Sequence, residues 1–464
     1  MKNNSVWQEF LKKTSKKISK DIECDLLIIG GGITGLTTAY YLDNSNLNIC
    51  LVERNIIGSG ASGKSTAKIN YLQDILSKIS SDKVDLYLKS QLEAKDLLLD
   101  IITKNKIECD LEKKPSFLFS NTNSSMLEIK KIEKILKNNS IKYKIEKIPI
   151  DIKHSYSIKV EDTYTFNPVK YLNELRKLIK NVDIYENTCV NRIEKENDYY
   201  IAYVDDIKIK CKKIVCASWY PYFIKPFLFP LKTHLEKSYL ACYKTERKNK
   251  CTGINLEKEV KSFQYFKDYF VYLMNSHILC NGDYSRNFIP LLKEKPLYYW
   301  SNIDIITNDY IPFIGKIDRN LYLGTGYNTW GNTNGTLSGK ILSDLILDKE
   351  NKYSRLFDPR RTLTFKKLGN NILNIFYSIK GYLKFLNSDK SNKVYYQKDK
   401  AYYIDSNGKK YVVKRKCPHL HCDLIFNYQE LTWDCPCHGS RFDLEGNCIF
   451  GPSEYSIKVS DKEN

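Results

Sequence analysis

The stretch that decides the fold is Cys24-Asp25-Leu26-Leu27-Ile28-Ile29-Gly30-Gly31-Gly32-Ile33-Thr34-Gly35, which continues through Leu36 to Leu42 and resumes at Leu47-Asn48-Ile49-Cys50-Leu51-Val52-Glu53. An apolar strand runs into a glycine turn, a helical run follows, and a second strand ends on an acid. This is a β-turn-α-β unit, and it gives Gly30-x-Gly32-x-x-Gly35 the context that a bare glycine pattern lacks. Gly30 allows the tight turn, Gly32 lets backbone approach a pyrophosphate, and Gly35 allows close helix–strand packing. The helix N-terminus then faces the phosphates. Glu53, 18 positions after Gly35, is placed to accept hydrogen bonds from the adenosine ribose hydroxyls, and a carboxylate there disfavours a 2′-phosphate.

Just downstream, Gly58-Ser59-Gly60-Ala61-Ser62-Gly63-Lys64-Ser65 fits the phosphate-loop pattern G-x-x-x-x-G-K-S. Its context is poorer, because the preceding strand already ends at Glu53. The segment reads better as a loop over the same dinucleotide. Further along, 75–145 carries helical periodicity, as in Leu92 to Ile102 and Ile129 to Leu136, 183–216 reads as short strands, and Leu321-Tyr322-Leu323-Gly324-Thr325-Gly326 is a strand entering another glycine turn. A helix is expected from Thr336 to Leu347, a helical linker over roughly 360–390, and short strands and turns from about 394 onward.

The C-terminal region carries Cys417-x-His419 and, after fifteen intervening residues, Cys435-x-x-His438. Two thiolates for one iron and two imidazoles for the other is the Rieske [2Fe–2S] arrangement. A Cys₂His₂ zinc site uses the same residue types, but zinc modules usually start Cys-x-x-Cys, which is not the spacing here.

The chain has 464 residues, 42% hydrophobic and 13% aromatic, which excludes a disordered protein. Fourteen cysteines are too sparse for a disulfide scaffold. The formal charge of +19 comes from dispersed lysines with no nucleic-acid-binding motif beside them, so no nucleic-acid partner is expected. The first twenty residues lack a signal peptide's apolar core, and no run of about 18 apolar residues occurs. No membrane span is expected, and a cytoplasmic protein is.

Ile28 to Tyr40 with Leu51-Val52-Glu53-Arg54 resembles the FAD-binding start of the glycine oxidase and D-amino-acid oxidase family. Gly60-Ala61-Ser62-Gly63, Thr307-Asn308-Asp309-Tyr310-Ile311-Pro312-Phe313-Ile314-Gly315 and Gly324-Thr325-Gly326-Tyr327-Asn328 resemble its later segments, in the same order. The resemblance implies an α/β fold: a Rossmann-like FAD-binding domain with an interleaved antiparallel-sheet substrate domain. It implies FAD contacts at Gly30, Gly32, Ile33, Thr34, Gly35, Glu53, Arg54, Ser62, Val190, Gly326, Gly331, Asn334, Gly335 and Thr336. Tyr327, Asn328 and Trp330 would lie near the flavin. One departure stands out. Amino-acid oxidases of this family usually carry an arginine just before the Asp-x-x-Pro-x-Ile-Gly segment to grip the substrate carboxylate. Tyr298-Tyr299-Trp300-Ser301-Asn302-Ile303-Asp304 has none, which weakens the case for an amino-acid substrate.

Cys417-Pro418-His419-Leu420-His421-Cys422 and Trp433-Asp434-Cys435-Pro436-Cys437-His438-Gly439-Ser440-Arg441-Phe442 look like the two cluster loops of Rieske proteins. The resemblance assigns Cys417 and Cys435 to one iron, His419 and His438 to the other, and pairs Cys422 with Cys437 in a loop-bridging disulfide. It implies a hydrogen bond from Ser440 to a sulfide and a lower potential than in the respiratory proteins, which have tyrosine where Phe442 stands.

The expected organisation is an extension over 1–24, an FAD-dependent oxidoreductase over 25–358, a helical linker over 359–393, and a small all-β Rieske domain over 394–464. The expected function is dehydrogenase-type oxidation of a small substrate, an amine or amino acid, with electrons passing from flavin through the cluster to an unknown acceptor. The alternative is an electron-transfer or assembly protein that turns over no small molecule.

Overall fold

The computed structural model of the protein describes residues 2–12, 16–221, 232–246, 250–279, 294–361, 393–453 and 455–459. β1 (Ile22–Ile29), α1 (Ile33–Leu42) and β2 (Ile49–Val52) form where the sequence places them. Leu26, Leu27 and Ile28 are fully buried because β1 is central. It runs parallel to β2 on one side and to the Ile207–Cys216 strand on the other. A strand covered on both faces reads as a continuous apolar run. The Val182–Tyr185 strand extends the sheet beyond β2, and the Leu321–Thr325 strand joins it beside Ile207–Cys216.

α1 crosses the helix Gly331–Ile346 at close range. A side chain at Gly339 would meet the Thr37 Cβ at 2.5 Å, and one at Gly335 would meet Ile33 at 3.2 Å. This helix starts five residues before the expected Thr336, because its glycines carry low helix propensity yet permit the crossing. The periodic stretches at Leu92 and Ile129 lie in α2 (Val84–Lys104) and α3 (Asn123–Asn138). Between them the buried run Ser116–Ser120 is a strand that helical periodicity concealed.

That strand belongs to a second sheet of eight strands, antiparallel but for the pairing of Thr252–Asn255 with Ser116–Ser120. Its far end is formed by three long strands, Tyr298–Thr307, Thr233–Lys244 and Tyr269–Ile278, in that order. The C-terminal region is all β: a three-stranded sheet from Val394 to Lys414 and a four-stranded sheet from Ile425 to Phe450. Its core gathers Tyr403, Phe426, Trp433 and Phe442. The expected helical linker falls outside the described residues except at its two ends. Among the described residues no helix is long and apolar enough to cross a membrane.

Candidate functional site

The glycine turn closes on itself. Gly30 has φ +115°, a left-handed conformation that glycine adopts without strain, and a Cβ at Gly35 would sit 1.9 Å from the Gly30 carbonyl oxygen. Glu53 is buried at the end of β2. Its carboxylate accepts the Gly31 N–H at 2.7 Å and the Asn55 N–H at 3.0 Å. Burial pushes its carboxyl above the ordinary value against those two bonds. Ser62 accepts the Ile33 N–H at 3.3 Å, so the second glycine loop packs on the N-terminus of α1. Ala61–Lys64 is a short 3-10 helix.

These groups open into a cavity of about 850 Å³, at the upper end for small-molecule sites. Gly30, Gly32, Ile33, Thr34, Glu53, Arg54, Ser62, Val190, Gly326 and Gly331 line it, as do Tyr327, Asn328 and Trp330. Gly35, Asn334, Gly335 and Thr336 lie behind it. Gly35 and Gly335 serve packing, while Asn334 accepts the Gln91 Nε2 at 2.8 Å within a buried network that includes Tyr87 and Gln73. Asn328 and Thr329 have φ of 50° and 70°, and the second is unusual for a β-branched residue. They hold the chain at the cavity edge just before the Gly331–Ile346 helix.

The far wall of the cavity is the strand pair Thr233–Lys244 and Tyr298–Thr307. Their register sets Glu236 opposite Asp304 and Ser238 opposite Asn302, and all four line the cavity. His277 reaches it from the neighbouring strand. Burial, with the Glu236 charge second, pushes Asp304 up to about 7.

The alternate residues of the same strands face the C-terminal domain. Lys237 is completely buried, 2.7 Å from Asp434 and 3.3 Å from Glu430. Arg441 binds the same two carboxylates at 3.2 and 2.7 Å, and Ser301 donates its hydroxyl to Glu430 at 2.7 Å. Burial alone would push Glu430 up, but Arg441 and Lys237 outweigh it and hold it down to about 2.

In the cluster loops, Cys417 and Cys435 are buried within hydrogen-bonding reach of each other, and that bond is the main cause holding the Cys417 thiol below its ordinary value. The His419 and His438 rings lie 4.9 Å apart, nearly perpendicular. Burial brings them down to about 4 and 3, so both imidazoles are neutral, as metal ligation requires. The His438 Nδ1 is buried with no hydrogen-bond partner among the described residues. Two thiols together and two imidazoles together match the donor set of a cluster with unlike irons. Cys422 and Cys437 form a disulfide that ties the two loops.

The two sites touch. Trp219 and Tyr220, which line the cavity, pack on the C-terminal domain: the Trp219 ring is 4.6 Å from Phe450 and the Tyr220 ring 6.1 Å from His438. Arg54 donates to the Gly451 carbonyl at 2.7 Å. Phe450 and Gly451 themselves line the cavity. Sequence reasoning missed this contact and the Lys237 cluster, whose partners are 197 residues apart. A usable sign was present in the alternating polar residues His234-x-Glu236-x-Ser238 and Asn302-x-Asp304, which place one polar face on each strand.

Residues 25–286 match the family described as FAD dependent oxidoreductase, and residues 381–460 match the Rieske [2Fe-2S] domain. The chain is 28% identical to the Rieske 2Fe-2S iron-sulfur protein YhfW of Bacillus subtilis (strain 168), over 96% of this chain and 94% of that protein. It is 22% identical to the gamma-glutamylputrescine oxidoreductase of Escherichia coli (strain K12), over 71% of this chain and 85% of that one. Glycine oxidase from Geobacillus kaustophilus shares the fold, with a TM-score of 0.63 at 15% identity over 74% of this chain and all of that one.

Proposed function

This chain belongs to the FAD dependent oxidoreductase family and carries a Rieske domain, and from that premise we propose that it oxidises a small amine and passes the electrons through the cluster to a separate acceptor. The observation that carries the reading is the shared wall. Residues of the cavity, Trp219 and Tyr220, stand directly against His438 and Phe450 of the cluster domain. The cavity residues would hold FAD, which would supply two-electron oxidation of the substrate, and Cys417, Cys435, His419 and His438 would hold a [2Fe–2S] cluster, which would supply one-electron transfer.

On this reading Gly30, Gly32, Ile33 and Thr34 hold the pyrophosphate on the N-terminus of α1, and Glu53 takes the ribose hydroxyls. Val190 lies by the adenine, and Ser62, Gly326 and Gly331 approach the rest of the cofactor. Gly35, Asn334, Gly335 and Thr336 support these contacts from behind. Cys417 and Cys435 bind one iron, and His419 and His438 the other. The flavin module takes residues 25–358 and the cluster module 394–464. Amine oxidation is favoured over an idle flavin because polar anchors face the cavity, and it agrees with the activity named for the Escherichia coli relative. We place the reaction in the cytoplasm, where free thiols such as Cys24, Cys50 and Cys211 stay reduced.

Anaerobic mixing with a panel of amines and amino acids tests this. An amine should bleach the flavin absorbance, and the electron paramagnetic resonance of the reduced cluster should follow. If no compound bleaches the flavin, substrate turnover is lost and the electron-transfer alternative stands.

A further inference from the structure

The cavity-facing wall sets two carboxylates directly opposite each other. Glu236 and Asp304 are direct cross-strand partners. Two like charges at that position, with Cβ atoms about 5 Å apart, destabilise a sheet. No lysine or arginine forms an ion pair with Asp304 among the described residues. Its one hydrogen-bonding neighbour is Asn302, whose Nδ2 stands 3.4 and 3.5 Å from its oxygens. Asn302 is 7% exposed, and its Oδ1 is buried with no partner among the described residues. Both residues share one face of the strand and line the cavity. Glu236 pairs with the His234 Nε2 at 3.4 Å, and Lys78 and His277 act on it electrostatically from further off. The wall therefore presents two carboxylates and an amide oxygen, all acceptors, to one place. A primary ammonium offers three N–H donors and a positive charge.

We propose that Glu236, Asp304 and Asn302 form a subsite for a primary ammonium group, so that the substrate presents a cationic nitrogen to this wall. The proposal deepens the reading of the cavity as an amine-oxidising site and rests on it. Burial is the main cause that raises Asp304 and the facing Glu236 charge adds to it, and a cation bound between the two relieves the second. Arg54 is the only arginine among the described residues lining the cavity, and it belongs to the opposite end, where it binds Gly451. A competing cation that acts on Glu236 is Lys78, whose ammonium lies over the Tyr310 ring at 5.2 Å.

The test uses the FAD-loaded full chain at pH 8 with two probes of one shape, tert-butylammonium and pivalate. Neither carries a hydrogen on the carbon that would be oxidised, so only binding is read, from the shift of the flavin spectrum. Wild type should bind tert-butylammonium saturably and show no response to pivalate. Asp304→Asn and Glu236→Gln should each weaken the ammonium by about 10- to 100-fold, the worth of one charge-assisted hydrogen bond. Melting temperature and flavin retention establish that each variant is folded, and either variant alone suffices. The proposal falls if wild type binds neither probe, if it prefers pivalate (which assigns the wall to Lys78), or if a folded variant binds ammonium within threefold of wild type. The outcome is separable from turnover. Ammonium binding without amine oxidation removes only the oxidation reading, while amine oxidation with unchanged binding in the variants removes only the subsite.

Discussion

Two charged surfaces lie back to back on one pair of strands. On the face toward the cluster domain, Lys237 and Arg441 meet Glu430 and Asp434, two cations against two anions, all buried. On the face toward the cavity, one residue away, Glu236 opposes Asp304 with no cation bonded to Asp304 among the described residues. The physical response differs accordingly. Burial would lower Lys237, but Asp434 and Glu430 outweigh it and raise it. Burial raises Asp304, and its neighbour Glu236 adds to the rise. Compensated charge fixes one domain on another, whereas two carboxylates facing each other at a cavity wall favour a cation between them.

The largest effect is expected where compensation is removed. Lys237→Met leaves Glu430 and Asp434 sharing Arg441 alone, and breaking a buried pair from one side costs about 3–5 kcal/mol. Thermal unfolding should shift by that amount, and amide exchange at Ser301 to Ile303 should rise as the cluster domain loosens. Adding Glu430→Gln removes one charge of each sign and should restore at least half of the loss. A double variant no more stable than the single one would show that charge balance is not what holds this interface.

The opposite face should respond with the opposite sign. Asp304 has an ordinary value of 3.8 and stands at about 7 in the fold. Between those values the folded protein keeps a proton that the unfolded chain has lost, so stability falls as pH rises from about 4 to about 7. Among the described residues Glu236 is the charged group that acts on it, and His234, Lys78 and His277 act on Glu236 in turn. Asp304→Asn should therefore stabilise the protein by about 1–3 kcal/mol at pH 8, less than the full displacement because the carboxylate faces the cavity, and by nothing at pH 4. Melting curves at both pH values decide this. A variant that melts earlier than wild type at pH 8 contradicts the reading of Asp304 as uncompensated.

The contrast between the faces also marks what the sequence could convey. The turn at Gly30 and Gly35, the acid at Glu53 and the two cysteine–histidine loops are set by spacing within short segments, and each forms where the residues place it. The wall is different. Lys237 and Asp434 lie far apart in the chain and meet only because two sheets pack, and no periodicity within either segment announces the partner. Similarity has its own limit. Asn334 and Gly335 sit in a matching segment, yet they face α2 and α1 rather than the cavity. A motif identifies a helix, but which of its sides meets the ligand is decided by the helices packed around it.

The smallest expected effect lies beside the cluster and leaves both charged faces untouched. Phe442 is fully buried on the Arg441–Phe442 strand, between Trp433 and Cys448 in register. Two residues earlier, the Ser440 hydroxyl accepts the Ser453 N–H at 3.0 Å and hydrogen-bonds the Cys417 thiol. Phenylalanine adds no donor, so Ser440 is the nearer hydroxyl for the sulfurs. In Phe442→Tyr the phenol supplies a second one. A donor to sulfur stabilises the more negative, reduced state and raises the potential. One net hydrogen bond of about 1 kcal/mol corresponds to about 40 mV for a one-electron couple. Redox titration of the full chain, read by the cluster's paramagnetic signal, should show that rise, with the melting temperature changed only by the strain of one extra oxygen in the core. Tert-butylammonium affinity should stay at the wild-type value, because no charge on the wall has changed. A potential that stays put or falls would mean that the phenol does not reach the sulfurs. A potential that rises together with a changed ammonium affinity would mean that the two faces of the wall are not independent, and the comparison drawn between them would have to be given up.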